Sequence, residues 1–244
     1  MCAPASLPMC VVKLIPRAAT MRHKRRDATM SSGWDLSPGS IIEGHRDAVV
    51  ETGHVPGQRD QKRAIAAVRE LLAAAGMDVD DPRLARTPQR AAEAFLTLFS
   101  GVGVDAATAL GTPVVVDESE GAGELIALTG IQFSSICEHH LLPFAGTVDV
   151  SYAPKRLIAG LSRIAAAVDV ASRRPQIQER LGVDIASAIM RTLDPFGVVV
   201  KIQAVHGCVA HLEPRAANAT AVTIATLGTL PESSSRLMSI PSSL

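Results

Sequence analysis

The chain has no net charge: its 24 lysines and arginines are matched by 24 aspartates and glutamates. A protein held to nucleic acid by bulk electrostatics carries a basic excess, so no nucleic-acid partner is expected. Cysteine is scarce. Cys2, Cys10, Cys137 and Cys208 are too few for a disulfide framework in 244 residues, and no secretory signal precedes them. The one apolar stretch near the start, Met9 to Ile15, is broken by Lys13 and flanked by prolines, which makes a poor signal-peptide core. No run of about 18 apolar residues occurs, so no membrane partner is expected either. The ordered part contains no internal repeat and no low-complexity tract. By elimination, the expected setting is cytoplasmic and reducing.

Apolar residues make up 47% of the chain, enough for a full core without cross-links. Residues 1–58 are rich in Pro, Gly, Ser and charge, show no lasting period, and read as a disordered extension. Six basic side chains fall within residues 1–30 against one acid, Asp27, which leaves 18 basic against 23 acidic in the rest. Met30 offers an alternative start of translation; a transit peptide is the rival reading of the basic stretch. Residues 59–122 read as a helical arm and linker. Ile65, Val68, Leu72 and Ala75 share a helical face, and Gly76 stands where a helix-ending glycine belongs. A second helix opens at Thr87-Pro88, with Thr87 as cap, and is expected to bury Ala91, Phe95, Leu98 and Phe99 before Gly101.

From residue 123 to 244 the pattern changes. Strands are expected over 125–133, 147–152, 198–206 and 220–227, with helices over 162–172 and 176–193. Paired strands around two helices define an α+β domain, an antiparallel sheet with helices on one face.

Cys137-Glu138-His139-His140 places four ligands or proton carriers in four residues. A thiolate and an imidazole three apart can reach one ion from a tight turn, the usual first half of a zinc site. Cys208 is the natural second half. The spacing leaves two zinc sites open. Cys137, His140, Cys208 and His211 would make a closed structural set, whereas three ligands and a water would make an open catalytic one. A chance cluster with no metal is the third reading. An extended segment through residues 198–208 would put His206 and Cys208 on one face with His211 turned away. His206 would then stand beside the metal, in position to donate a proton.

The string from Phe133 to Gly146, FSSICEHHLLPFAG, resembles the signature of the GTP cyclohydrolase I family. Gly160-Leu161-Ser162, the run Gln176 to Leu181 and His206-Gly207-Cys208 match the same family in order and spacing, and so does the Thr87 to Arg90 helix start. The resemblance covers about residues 60–240. It implies a tunnelling fold, a homodecamer with active sites between subunits, and a catalytic zinc on Cys137, His140 and Cys208. The implied reaction opens the guanine imidazole ring of GTP, releases formate and gives 7,8-dihydroneopterin triphosphate. A zinc ion lowers the pKa of water bound to it to about 7, which suits attack at C8. His206 is the candidate acid for N7, and His139 would orient water or contact the ribose. Glu179 can accept two hydrogen bonds from the N1–H and 2-amino edge, which adenine lacks; its bland alternative is a surface charge paired with a neighbouring arginine. Gln178 would line the same pocket. Ser162, at a helix start, and Arg163 would hold phosphate.

Two positions depart from the family. Where it carries further phosphate-binding arginines, this chain has Ala166 and Leu212, and Glu213 follows in place of a glycine. Three readings result: GTP cyclohydrolase activity with a clamp rebuilt from Arg86, Arg90 or Arg215 of a neighbour; a cyclohydrolase for a less phosphorylated guanine compound; or a non-catalytic member with structural zinc.

Overall fold

A computed structural model describes residues 11–13, 59–116 and 125–230. Apart from 11–13, the segment expected to be a disordered extension lies outside the described residues. Two helices come first, α1 (Gln61–Ala74) and α2 (Thr87–Leu98). Asp60 caps α1 by accepting a hydrogen bond from the Arg63 N–H, and Gly76 turns the chain at φ +80°. The start of α2 differs by one residue from expectation. Arg86 is its cap and makes no side-chain cap bond, while Thr87 already lies in the first turn. Its buried residues are Pro88 and Ala92, whereas Ala91, Phe95, Leu98 and Phe99, expected to be buried, are only partly so. No residue of α1 is buried. Part of the segment read as linker is ordered: a 3-10 turn at Ala106–Leu110 inserts Leu110 into the core, and β2 (Val114–Val115) follows.

The main sheet has six strands. In chain order they are β1 (Val11–Lys13), β3 (Ile126–Cys137), β4 (Pro143–Ala153), β6 (Pro175–Gln176), β7 (Gly197–His206) and β8 (Ala221–Gly228). The spatial order is β1-β8-β7-β4-β3-β6. The four long strands are antiparallel, as expected, whereas short β1 and β6 join the two edges in parallel. A separate pair is formed by β2 and β5 (Leu157–Ile158). Val148, Val150 and Tyr152 alternate along β4 and are buried, as period-two apolar residues on a covered face must be. The cover is α3 (Leu161–Ser172) and α4 (Gln178–Leu193). Ile164, Val168 and Ala171 of α3 and Leu181, Ile185 and Ile189 of α4 fall at helical spacing and join the β4 residues in one core.

One irregularity decides which way β3 faces the core. Its pairing with β4 slips between Leu128 and Ile131, with Gly130 in the left-handed region at φ +72°. The extra residue reverses the parity of the strand. Ile126 and Leu128 pack on the core before the bulge; Ile131, Phe133 and Cys137 do so after it. Without the bulge, Cys137 would face away from the helix-covered core.

Candidate metal centre and substrate site

Three strand ends meet at one end of the sheet. Ile136 of β3 pairs with Pro143 at the start of β4, and Phe144 pairs with His206 at the end of β7. Between β3 and β4 the chain reverses in a tight turn. The Leu141 N–H donates to the Cys137 carbonyl at 2.8 Å, and the Cys137 N–H donates to the Leu142 carbonyl at 2.9 Å. Leu141 takes a left-handed conformation (φ 53°) to do so, which costs a non-glycine residue about 1 kcal/mol or more. The turn carries Glu138, His139 and His140.

After His206 the chain does not stay extended. A short helix, α5 (Gly207–Leu212), begins at once, so Cys208 reaches the turn from a helix and not from the strand face expected for it. Gly207 permits this approach: a Cβ there would lie 2.7 Å from the Pro143 carbonyl oxygen. The ligand atoms of Cys137, His140 and Cys208 all fall within 4.8 Å of one another, and Cys137 Sγ is 3.8 Å from His140 Nδ1. These three residues could hold a metal ion, and His211, exposed on α5, is not among them. Two thiols and an imidazole form a soft donor set that suits Zn2+. Burial pushes the Cys208 thiol up, and the Cys137 sulfur beside it adds to the shift. Two thiolates this close repel unless a cation lies between them.

The first turn of α4 reaches the same end. Gln178 is 2% exposed. Its Nε2 donates to the Ile202 carbonyl (3.1 Å), the Ala221 carbonyl (3.2 Å) and Thr223 Oγ1 (3.1 Å), and its Oε1 lies 2.7 Å from His206 Nε2. The His206 ring stacks on Phe144, with centroids 4.5 Å apart and planes at 4°. Burial lowers the His206 pKa, and the charge of Glu179 works the other way. Arg180 turns to the metal turn and donates to Glu138 from both terminal guanidinium nitrogens, at 2.5 and 3.2 Å. That pair holds the Glu138 carboxyl below its usual range. Glu179, half-buried, is left without an ion pair or hydrogen bond among the described residues. The arginine that would have made Glu179 a paired surface charge is thus engaged elsewhere. His139 is exposed, with Nε2 3.8 Å from Glu138 Oε1. The sequence reading missed Arg180 and Glu138 as partners; their sequence separation of 42 leaves no local signal.

Ser162 and Arg163 are not brought to this end. Gly160 caps α3, and both residues are exposed in its first turn. The far end of α3 leads through Arg173 and Arg174 to β6, which pairs beside Cys137. Ser162 is the second residue of α3, so the rest of the helix to Ser172 separates it from the metal end, about 15 Å at 1.5 Å per residue. Of the arginines considered for the clamp, Arg215 is bound to Glu213 at 2.8 and 3.0 Å, whereas Arg86 and Arg90 are exposed. Leu212 is 63% exposed on α5.

Fold and site together define an α+β protein in which two thiols and an imidazole could hold a metal ion, at the same sheet end as a carboxylate unpaired among the described residues. The chain belongs to the GTP cyclohydrolase I family, whose model matches residues 64–241. It is similar to "GTP cyclohydrolase 1" of Leifsonia xyli subsp. xyli, at 44% identity over 72% of this chain and 92% of that protein. The proteins of the same name from Mycobacteroides abscessus and Streptomyces griseus are 45% and 41% identical, over 72% and 74% of this chain and 84% and 89% of theirs. Among the described residues, no helix is long and apolar enough to cross a membrane.

Proposed function

We propose that this protein is a zinc-dependent cyclohydrolase that opens the imidazole ring of GTP, releasing formate and giving 7,8-dihydroneopterin triphosphate. The observation that carries the reading is Glu179: a carboxylate without a partner, half-buried, at the sheet end that also holds Cys137, His140, Cys208 and His206. An unpaired carboxylate in such a place suits a ligand edge with two adjacent donors, and guanine N1–H and its 2-amino group supply one.

Cys137, His140 and Cys208 would hold the zinc, which supplies a Lewis acid that makes water nucleophilic at neutral pH. Glu179 orients the base. His206 delivers the proton that N7 needs when C8 is attacked, and its ring is held for this by Phe144 and Gln178. His139, exposed on the turn, is placed to contact the ribose or a water. Ser162 and Arg163 bind phosphate, but a helix length separates them from the metal end of their own chain. The complete site then needs a second copy, in keeping with a tunnelling-fold homo-oligomer, for which we propose a decamer in the cytoplasm.

A formate-release assay on purified zinc-loaded protein, run with GTP, GMP and guanosine, tests the reading. Formate from GTP is the expected result. Preference for GMP or guanosine would favour a less phosphorylated substrate, which Ala166 and Leu212 suggest. No formate from any of them would leave a structural zinc and a non-catalytic role.

A further inference from the structure

The Gln178 side chain is buried, and every polar atom of its amide is engaged inside the protein. One end of the amide meets two backbone carbonyl oxygens, of Ile202 and Ala221. Carbonyl oxygens only accept, so this end must be the NH2 group; reversing the amide would set its oxygen against both. The other end is therefore oxygen, and it lies 2.7 Å from His206 Nε2. An oxygen accepts, so Nε2 must carry a proton. Phe144, stacked parallel to the imidazole, keeps the ring in the plane where this bond is made.

We infer that Gln178 is a positioning residue that fixes the tautomer of His206, leaving Nδ1 as the nitrogen that exchanges protons with substrate. The inference rests on the proposed cyclohydrolase reading for its chemistry, though not for its geometry. It moves Gln178 from the wall of the guanine pocket to the support of the proton carrier. It also orders the proton steps. A neutral His206 presents a lone pair at Nδ1 and no proton there. It must take a proton at Nδ1, from the attacking water, before it gives that same proton to N7. One proton leaves water and one arrives at the base, with the ring unchanged at the end. A histidine free to choose its tautomer would spend part of its time with Nδ1 already protonated and unable to accept.

Two variants separate this role from a structural one. Gln178→Met keeps the volume and removes the acceptor. Gln178→Glu, protonated in this buried place, can donate to one carbonyl and still accept from His206. The first readout needs no activity: magic-angle-spinning nitrogen spectra of zinc-loaded, 15N-histidine-labelled protein, with His206→Asn to assign the signal. The neutral His206 ring should carry its proton on Nε2 in the wild type and in Gln178→Glu, and should divide between tautomers in Gln178→Met. A wild-type proton on Nδ1, or an unchanged spectrum in Gln178→Met, overturns the inference. The second readout is formate release from GTP. Gln178→Met should lower kcat about tenfold or more, with KM within about threefold and full zinc content, and Gln178→Glu should recover most of the loss. Equal losses in both variants would reduce Gln178 to a packing residue. If the wild type released no formate, the cyclohydrolase reading would fall, and the spectra would still decide the tautomer.

Discussion

The two ends of the sheet are built on different plans. At the metal end, β3, β4 and β7 bring side chains from four separate segments together, and most of them are committed: Gln178 to His206, Arg180 to Glu138, the two cysteines to each other and to His140. The Glu179 carboxylate is left without an ion pair or hydrogen bond among the described residues. At the other end, Lys155 pairs with Asp194 at 3.0 Å, but the side chains of Arg156 and Arg163 make no hydrogen bond or ion pair among the described residues. One end has a nearly complete set of internal partners around a single carboxylate that the proposed reading assigns to a base. The other has cations, at and before a helix start, whose side chains, Lys155 apart, are unpaired among the described residues. A reaction centre inside one subunit can be preorganised by its own core. A phosphate grip at Ser162 and Arg163, as proposed, would lie a helix length of about 15 Å from the metal end of its own chain.

The largest expected effect lies at the metal end. Cys208→Ser should lose both bound zinc and activity, whereas His211→Ala should keep about one zinc per chain, measured by elemental analysis after gel filtration. Loss of metal in His211→Ala would turn the centre into a closed four-ligand site and remove the open position that the chemistry needs. Next comes the base. Glu179→Ala should lower kcat/KM for GTP by about two orders of magnitude or more while zinc content and thermal melting stay unchanged, since discrimination of this kind rests on buried paired donors and acceptors. An ordinary rate in that variant would return Glu179 to the surface.

How much of this contrast could be read from the sequence depends on range. Cys137 and His140 are three residues apart, and a turn that joins them is a local property; so are the helical faces of α3 and α4. The site groups on α4 were legible only through the family likeness, because Gln178 meets His206 across 28 residues and Arg180 meets Glu138 across 42. The parity of β3 was not legible at all. A period-two reading from residue 125 assigns one parity throughout, and the bulge at Gly130 reverses it before Cys137. The helix at α5 was hidden for a related reason. Val198 to His206 is a clean strand pattern, and nothing local shows that Gly207 is required by the Pro143 carbonyl pressing on it. The clamp arginines form the opposite case: Arg215 looked available in the sequence and is bound to Glu213 in the fold.

A smaller effect should come from the tie between metal turn and α4. Glu138 and Arg180 are partly exposed, so their pair contributes less than a buried one. Its value is in holding the turn. Arg180→Ala should weaken zinc about tenfold or less in chelator competition, in the range of other groups that orient metal ligands. The charge exchange Glu138→Arg with Arg180→Glu should recover part of that loss. Equal zinc affinity in all these proteins would mean that the turn is held by its backbone bonds alone.

The comparison of ends has its sharpest test in mixing subunits. Arg163→Ala and Glu179→Ala should each be impaired. When they are unfolded together and reassembled, some junctions would combine an intact phosphate end with an intact metal end, and activity should return above that of either parent. No recovery would mean that both ends of one chain serve the same site.

The smallest expected effect concerns the cations that this chain lacks relative to its family. Ala166 lies on α3 one turn beyond Arg163, and Leu212 is exposed on α5 at the metal end. Their distribution over both ends is what the proposed site shared between copies requires. With both positions uncharged, GTP binding should be weak and should fall steeply with salt, because the remaining exposed charges are screened. Ala166→Arg with Leu212→Arg should lower KM for GTP several-fold. The kcat should change little, because phosphate contacts remote from C8 act about equally on ground and transition states. If the natural substrate carries fewer phosphates, the double variant should instead shift preference from GMP or guanosine toward GTP. A wild type that already binds GTP at low micromolar KM with little salt dependence would overturn both outcomes. It would assign the clamp to the exposed Arg86, Arg90 or Arg156, whose side chains the fold leaves unpaired among the described residues.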